Sequence, residues 1–241
     1  MQTAAKLGGT MRVAIIENTA ITHHGQVGVA LHEAAAVLDL YKPWLDGMLP
    51  NPDSFDALIS FGGEQTALSD HSHPYLPDLA ALLYDTALSG KATLGICLGA
   101  QAMARGAGAE NTIGGNPEFG WCQIDLTDQG RADPVLGLLP TNFRIFEWHS
   151  DHFTLPPDAV HLATNKAAQV QSYRIGRAGY ATQFHFEASR AVVTDWARRF
   201  PDVIEAQSPG FTANLAAAAE RHGQAADAHG LAIARAWVAL I

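Results

Sequence analysis

Only two cysteines, Cys97 and Cys122, occur in the 241 residues of this chain. That is too few for a disulfide-stapled fold, and it reads as a protein of a reducing, cytoplasmic compartment. Cationic side chains are also scarce: 15 Lys and Arg stand against 24 Asp and Glu, a formal charge of −9. With no basic stripe to offset it, that balance argues against a nucleic-acid partner held through phosphate contacts. Long apolar runs are missing too. No stretch approaches the roughly 20 residues of a membrane-spanning helix, and the first eleven residues lack the apolar core of a secretory signal. No membrane association is therefore read, and residues 1–11 are expected to be a flexible lead-in. Charged residues make up 16% and hydrophobic ones 48%, the composition of a well-packed globular protein with chain enough for a sizeable core.

What is present has an order. Residues 11–17 form a short β-branched run, 27–40 carry apolar residues at helical spacing, and 55–61 read as a second strand ending at Gly62-Gly63. Residues 75–89 read as a helix stopped by Gly90. Strand–turn–helix follows over 91–109. This alternation predicts an open, mostly parallel α/β sheet flanked by helices. The second half changes character. Strand-like runs at 121–126, 142–148, 160–164, 170–175 and 179–186 predict antiparallel additions to the same sheet or a small flanking sheet. From 191 onward the chain reads as helical, with a break at Ser208-Pro209-Gly210 and an apolar stripe of Leu231, Ala234, Val238 and Ile241. The organisation expected is a main domain over 12–190, with C-terminal helices over 191–241 packed on it.

The most chemical feature is Gly95-Ile96-Cys97-Leu98-Gly99, which sets a cysteine between two glycines at a strand-to-helix junction. This is the cysteine form of a nucleophile elbow: the glycines remove side chains that would clash, and the sulfur stands exposed at the tip. The helix start beyond it favours a thiolate. A nucleophile needs a base and a group to orient that base. Gln183-Phe184-His185-Phe186-Glu187 offers both, because residues two apart on a strand share a face. Backbone amides at Gly63 and Leu98 are natural donors to a developing oxyanion.

Gly-Ile-Cys-Leu-Gly-Ala-Gln with the later Gln-Phe-His-Phe-Glu resembles the class I glutamine amidotransferases. The free-standing group similar to the amidotransferase domain of GMP synthase is the nearest in pattern. Ser60-Phe61-Gly62-Gly63, Glu118-Phe119-Gly120-Trp121 and the Trp148-to-Pro156 segment extend the resemblance over roughly residues 12–190, in the family's order. It implies a flavodoxin-like fold, with Cys97 as nucleophile, His185 as general base and acid, and Glu187 orienting it. It further implies Gly63 and Leu98 as the oxyanion hole, and Gln101 with the backbone of Ser150 and Asp151 holding the amino-acid end of glutamine or a γ-glutamyl compound. No cofactor is implied. An ammonia-accepting synthase subunit is the partner that the family implies. One departure is plain: the family's His-Pro-Glu is here His185-Phe186-Glu187, and proline performs no proton transfer there.

Other readings stay open beside this one: a self-sufficient γ-glutamyl amide or peptide hydrolase or transferase, and a catalytically silent binding protein of the same fold. A related chaperone or protease fold would carry histidine directly after the cysteine, where Leu98 stands. Cys122 reads as an inert core cysteine. The pairs His149/His152 and His71/His73 lack zinc-ligand spacing and a third ligand, so no metal site is read. His149 reads instead as a pocket wall, and Glu118 and Trp121 as supports beneath the site. Gly114-Gly115-Asn116 reads as a turn, since it lacks the Lys and Ser/Thr of a phosphate-binding loop. Thr22-His23-His24-Gly25 has no catalytic counterpart; it and residues 65–74 are expected to shape specificity.

Overall fold

The computed structural model describes residues 10–115 and 117–241. The expected lead-in lies, over 1–9, outside the described residues, as does Asn116. The β-branched run near the start forms β1 (Arg12–Ile16), whose alternate residues serve two faces of one sheet. Val13 and Ile15 join one buried cluster, and Ala14 and Ile16 join another. Helix α1 (Gly25–Glu33) follows. It ends sooner than the apolar spacing predicts, because 37–41 form a strand, β2 (Val37–Tyr41), and not the last turns of a helix. Ala35 takes a left-handed φ of 51° between the two. The misreading has a physical cause. β2 is an edge strand with Val37, Leu38 and Leu40 substantially exposed, so its apolar residues follow no simple in–out alternation.

After the short helix α2 (Pro43–Asp46) come β3 (Ala57–Ser60) and α3 (Leu76–Leu88), with Gly90 at φ 85° beyond the helix end. Next are β4 (Ala92–Ile96) and α4 (Leu98–Gly106). The second half adds β5 (Asn111–Thr112), β6 (Glu118–Leu126), α5 (Asp128–Arg131), β7 (Asn142–His149) and β8 (His152–Phe153). It continues with β9 (Val160–Thr164), β10 (Ser172–Ile175) and β11 (Gly179–Thr182). β6 starts ahead of the expected strand, so Glu118-Phe119-Gly120-Trp121 is itself sheet. β11 stops at Thr182, well short of 186.

Nine strands form one sheet in the order β2-β1-β3-β4-β11-β10-β9-β6-β7. The first five are mutually parallel; the pairs β11/β10, β10/β9, β9/β6 and β6/β7 are antiparallel. This is the mostly parallel α/β sheet with antiparallel additions that the alternation predicts, and its 2-1-3-4 start is flavodoxin-like. In such sheets ligands bind beyond the carboxyl ends of the parallel strands. Helices α3 and α4 share the cluster of Ala14 and Ile16, while α1 shares that of Val13 and Ile15.

The C-terminal segment forms α6 (Arg190–Arg199), α7 (Pro201–Gln207), α8 (Phe211–Ala218) and α9 (Gln224–Val238), with a π-turn at Ala219–Gly223. The Ser208-Pro209-Gly210 break falls between α7 and α8. Of the expected stripe, Ala234 and Val238 are buried and Leu231 and Ile241 half-buried. Ile233 and the fully buried Trp237 complete the packing face, which meets α1 and β7. No helix among the described residues is long and apolar enough to cross a membrane.

Candidate active site

Four parallel strands end around one cavity of about 440 Å³. β3 delivers Phe61, Gly62 and Gly63, β4 delivers Cys97, β11 leads to His185, and residues just after β1 add Thr19. Cys97 sits at the β4–α4 junction with φ 53° and ψ −109°, a conformation that costs a non-glycine residue about 1–3 kcal/mol. The glycines beside it are sterically required. A Cβ at Gly99 would lie 2.1 Å from the Ser60 carbonyl oxygen, and one at Gly95 would lie 2.5 Å from that of Gly99. The Cys97 amide donates to Thr182 O at 2.8 Å, tying the elbow to β11. Leu98 opens α4, and the first amides of a helix have no partner within it.

His185 and Glu187 do come together, though not by strand alternation. They lie in the turn after β11, where the His185 amide donates to Phe146 O at 2.8 Å and ring Nδ1 meets Glu187 Oε1 at 2.7 Å. Burial opposes charge on the imidazole. The Glu187 carboxylate and the Cys97 sulfur outweigh it, through charge and hydrogen bonding, and hold the His185 pKa well above its ordinary range. Gly62 occupies the gap between the pair: a Cβ there would stand 3.0 Å from His185 Cε1 and 3.5 Å from Cys97 Cβ. Gly63 approaches the helix start, since its Cβ would lie 2.8 Å from Leu98 Cδ2. Phe186, where the family has proline, is buried, and a Cβ on Gly230 of α9 would lie 2.0 Å from its carbonyl oxygen. Helix α9 thus buttresses the turn that carries His185 and Glu187.

Gln101, Ser150 and Asp151 line the same cavity. The buried Gln101 amide donates to Asp151 O at 3.3 Å and to Gln183 Oε1 at 3.2 Å, so it holds the 150–151 backbone in place. His149 also lines the cavity. Its Nδ1 is 3.0 Å from Asp151 O, a carbonyl that can only accept, so Nδ1 carries the proton and Nε2 faces Glu118 Oε2 at 3.2 Å. Glu118 also accepts from Asn165 at 2.6 Å and Gln171 at 2.7 Å, the supporting role read for it. His149 groups with Glu118 and Glu147, not with His152: the three bring one ligand atom each within 4.8 Å of one another.

Glu147 has no counterpart among the sequence expectations. It is fully buried, neither carboxyl oxygen has a hydrogen-bond partner among the described residues, and His149 Nε2 stands 3.5 Å away. Burial and the neighbouring Glu118 charge push its pKa well above the carboxylate range, against the opposing pull of His185. Cys122, expected in the core, is half-buried; burial first, then the Glu147 and Glu118 charges, push its thiol up to about 12.

The segment at 22–25 both packs against the turn after β11 and lines the cavity, through Thr22 and His23. Gly25, at φ 46°, lets α1 press on the turn that carries His185 and Glu187: a Cβ there would lie 1.8 Å from Glu187 O. Gln26 N donates to that same oxygen at 3.0 Å. His24 pairs with Glu17 at 2.8 Å and stacks on Phe61, while His23 pairs with Asp195 at 2.9 Å and lines the cavity. The 65–74 loop is pinned to α4 by Arg105, which binds both Asp70 oxygens at 2.6 and 2.7 Å and lowers that carboxyl's pKa. Sequence reasoning did not identify Trp196 or Phe200, which line the cavity from α6 and the residue after it.

Fold and site together define an α/β protein in which a strained cysteine elbow faces a buried His–Glu pair. A family model described as glutamine amidotransferase class-I matches residues 70–195, and the chain belongs to that family. It is 29% identical over 59% of its length to the glutamine amidotransferase-like protein YfeJ of Salmonella typhimurium. It is 32% identical, over 59% of its length, to a subunit of the glutamine-hydrolyzing GMP synthase of Thermoplasma acidophilum. The match spans 61% of each of those relatives. A crystal structure of a glutamine amidotransferase from Thermotoga maritima superposes with TM-score 0.81 at 23% identity, covering 95% of this chain and 99% of that one; it has the same fold.

Proposed function

We propose that the chain is a cysteine-dependent amidase that cleaves the γ-carboxamide of glutamine or a γ-glutamyl compound. The observation that carries this reading is the meeting, at the mouth of the parallel strands, of the Cys97 elbow with the His185–Glu187 pair: a Cβ on Gly62 would touch both Cys97 and the His185 ring, and that ring is 2.7 Å from Glu187 Oε1. The Cys97 thiolate attacks the carboxamide carbon while the amides of Gly63 and Leu98 receive the oxyanion. The His185 imidazolium then protonates the departing nitrogen, the C–N bond breaks, and a γ-glutamyl thioester remains. Water, deprotonated by the now neutral His185, adds to the thioester; glutamate leaves and Cys97 is regenerated. Glu187 keeps the ring oriented and favours its charged form. Gln101, through Asp151, presents the Ser150–Asp151 backbone to the amino-acid end of the substrate.

A relative named as part of a GMP synthase supports a reading in which released ammonia passes to a separate synthase protein. The test is release of ammonia and glutamate from L-glutamine by the wild-type chain and by Cys97→Ala, each measured alone and in the presence of a synthase partner. Loss of release in the variant is the expected result. Undiminished release by Cys97→Ala refutes the mechanism.

A further inference from the structure

Resting on this reading of Cys97, we propose that the leaving amine carries an apolar, ring-sized substituent, so that the preferred substrates are N-substituted γ-glutamyl amides and not glutamine itself. The two ends of the substrate have different surroundings. Gln101, Ser150 and Asp151 serve the amino-acid end, and His185 must stand at the opposite end, where it protonates the departing nitrogen. Any substituent on that nitrogen therefore extends past His185. What it meets there is aromatic. The Trp196 ring lies edge-on to His185 with centroids 5.4 Å apart. Trp148 packs edge-on to Trp196 at 5.3 Å and to Phe200 at 5.8 Å. Val203, which is 55% exposed, extends this wall toward the opening.

The wall is fixed in place. The Trp148 indole N–H donates to Gln207 Oε1 at 3.0 Å, and Gln207 Nε2 donates to the carbonyl oxygens of Glu118 and His149 at 3.4 Å each. These bonds clamp α7 across the ends of β6 and β7. Trp196, Phe200, Val203 and Gln207 all lie beyond residue 195, where the family match ends. Ammonia needs no apolar surface beside the proton donor. A ring on the leaving nitrogen does, because burying it removes apolar area from water on both partners. The reaction stays balanced: the thiolate forms the S–C bond, the C–N bond breaks, the imidazolium proton goes to the amine, and water then yields glutamate.

The test compares kcat/KM for γ-glutamyl benzylamide, γ-glutamyl methylamide and L-glutamine. Benzylamine is the weaker base of the two by about one pK unit. The contact made by the ring is therefore read from the change in their ratio between the wild type and variants of the wall, which leaves the intrinsic leaving-group difference constant. In the wild type the benzylamide is expected to exceed the methylamide at least tenfold. Phe200→Ala and Val203→Asp are each expected to lower that ratio severalfold. Val203 is exposed enough that its variant folds. Glutamine turnover with a benzylamide-to-methylamide ratio near one, or with a ratio that both variants leave unchanged, overturns this inference and leaves the amidase reading intact. Turnover of none of the three overturns both.

Discussion

Replacing Glu147 by glutamine keeps the shape of the side chain and removes its ability to ionise. In the wild-type chain this carboxyl is wholly buried, faces Glu118, His149 and Cys122 on the same part of the sheet, and has no hydrogen bond to either oxygen among the described residues. Its folded pKa is raised, by burial first and by Glu118 next. A carboxyl of this kind retains a proton in the folded state that the unfolded chain releases. The folded state is then the greater proton binder, so stability falls as pH rises above the ordinary carboxylate range, and the loss levels off at the folded pKa. The slope is about 1.4 kcal/mol per pH unit for one proton. Glu147→Gln lacks this proton uptake. Urea unfolding of both proteins at pH 5, 6, 7 and 8 is the assay. The variant is expected to gain on the wild type with rising pH, by about that amount per unit until the folded group ionises. Two curves that stay parallel across the range would refute the reasoning, because they would mean that Glu147 titrates alike in both states.

Gly62→Ala is expected to keep the circular dichroism spectrum and lower kcat about 10- to 10²-fold. Its Cβ would crowd His185 Cε1 at 3.0 Å, and misplacing a catalytic group by a fraction of its contact distance has effects of that order. Glu187→Gln removes the leading influence that raises the His185 pKa. It should lower amide turnover about 10²- to 10⁴-fold and slow alkylation of Cys97 by iodoacetamide at pH 7. Trp237→Ala, which empties a fully buried site in α9, should destabilise the chain by about 3–5 kcal/mol, read from its urea midpoint.

How far the sequence could be read depended on whether a feature was local. The elbow is local: Gly95, Cys97 and Gly99 share one short stretch of chain, and each glycine answers a clash within the same turn or with β3. His185 and Glu187 were legible as a pair, but strand alternation was the wrong reason, since β11 ends at Thr182 and a turn supplies the geometry. β2 was lost inside a helical pattern because Val37, Leu38 and Leu40 lie on an exposed edge, where neither periodicity is enforced by burial. Glu147 gave no signal at all. A glutamate in a strand ordinarily faces water, and only the pairing of β6 with β7, which sets it opposite Gly120, buries it. Trp196 and Phe200 fall in a stretch legible only as helical. Their place beside His185 depends on α6 and α7 folding back across the sheet, a long-range contact that no spacing encodes.

Central to this mechanism is acylation of the Cys97 sulfur. Acid quenching of the wild-type chain during turnover of a γ-glutamyl amide, followed by peptide mass mapping, tests it directly. A γ-glutamyl group on the peptide containing Cys97, absent from Cys97→Ala, is the predicted result. Steady amide turnover with the γ-glutamyl group on another residue, or turnover that survives in Cys97→Ala, would contradict it.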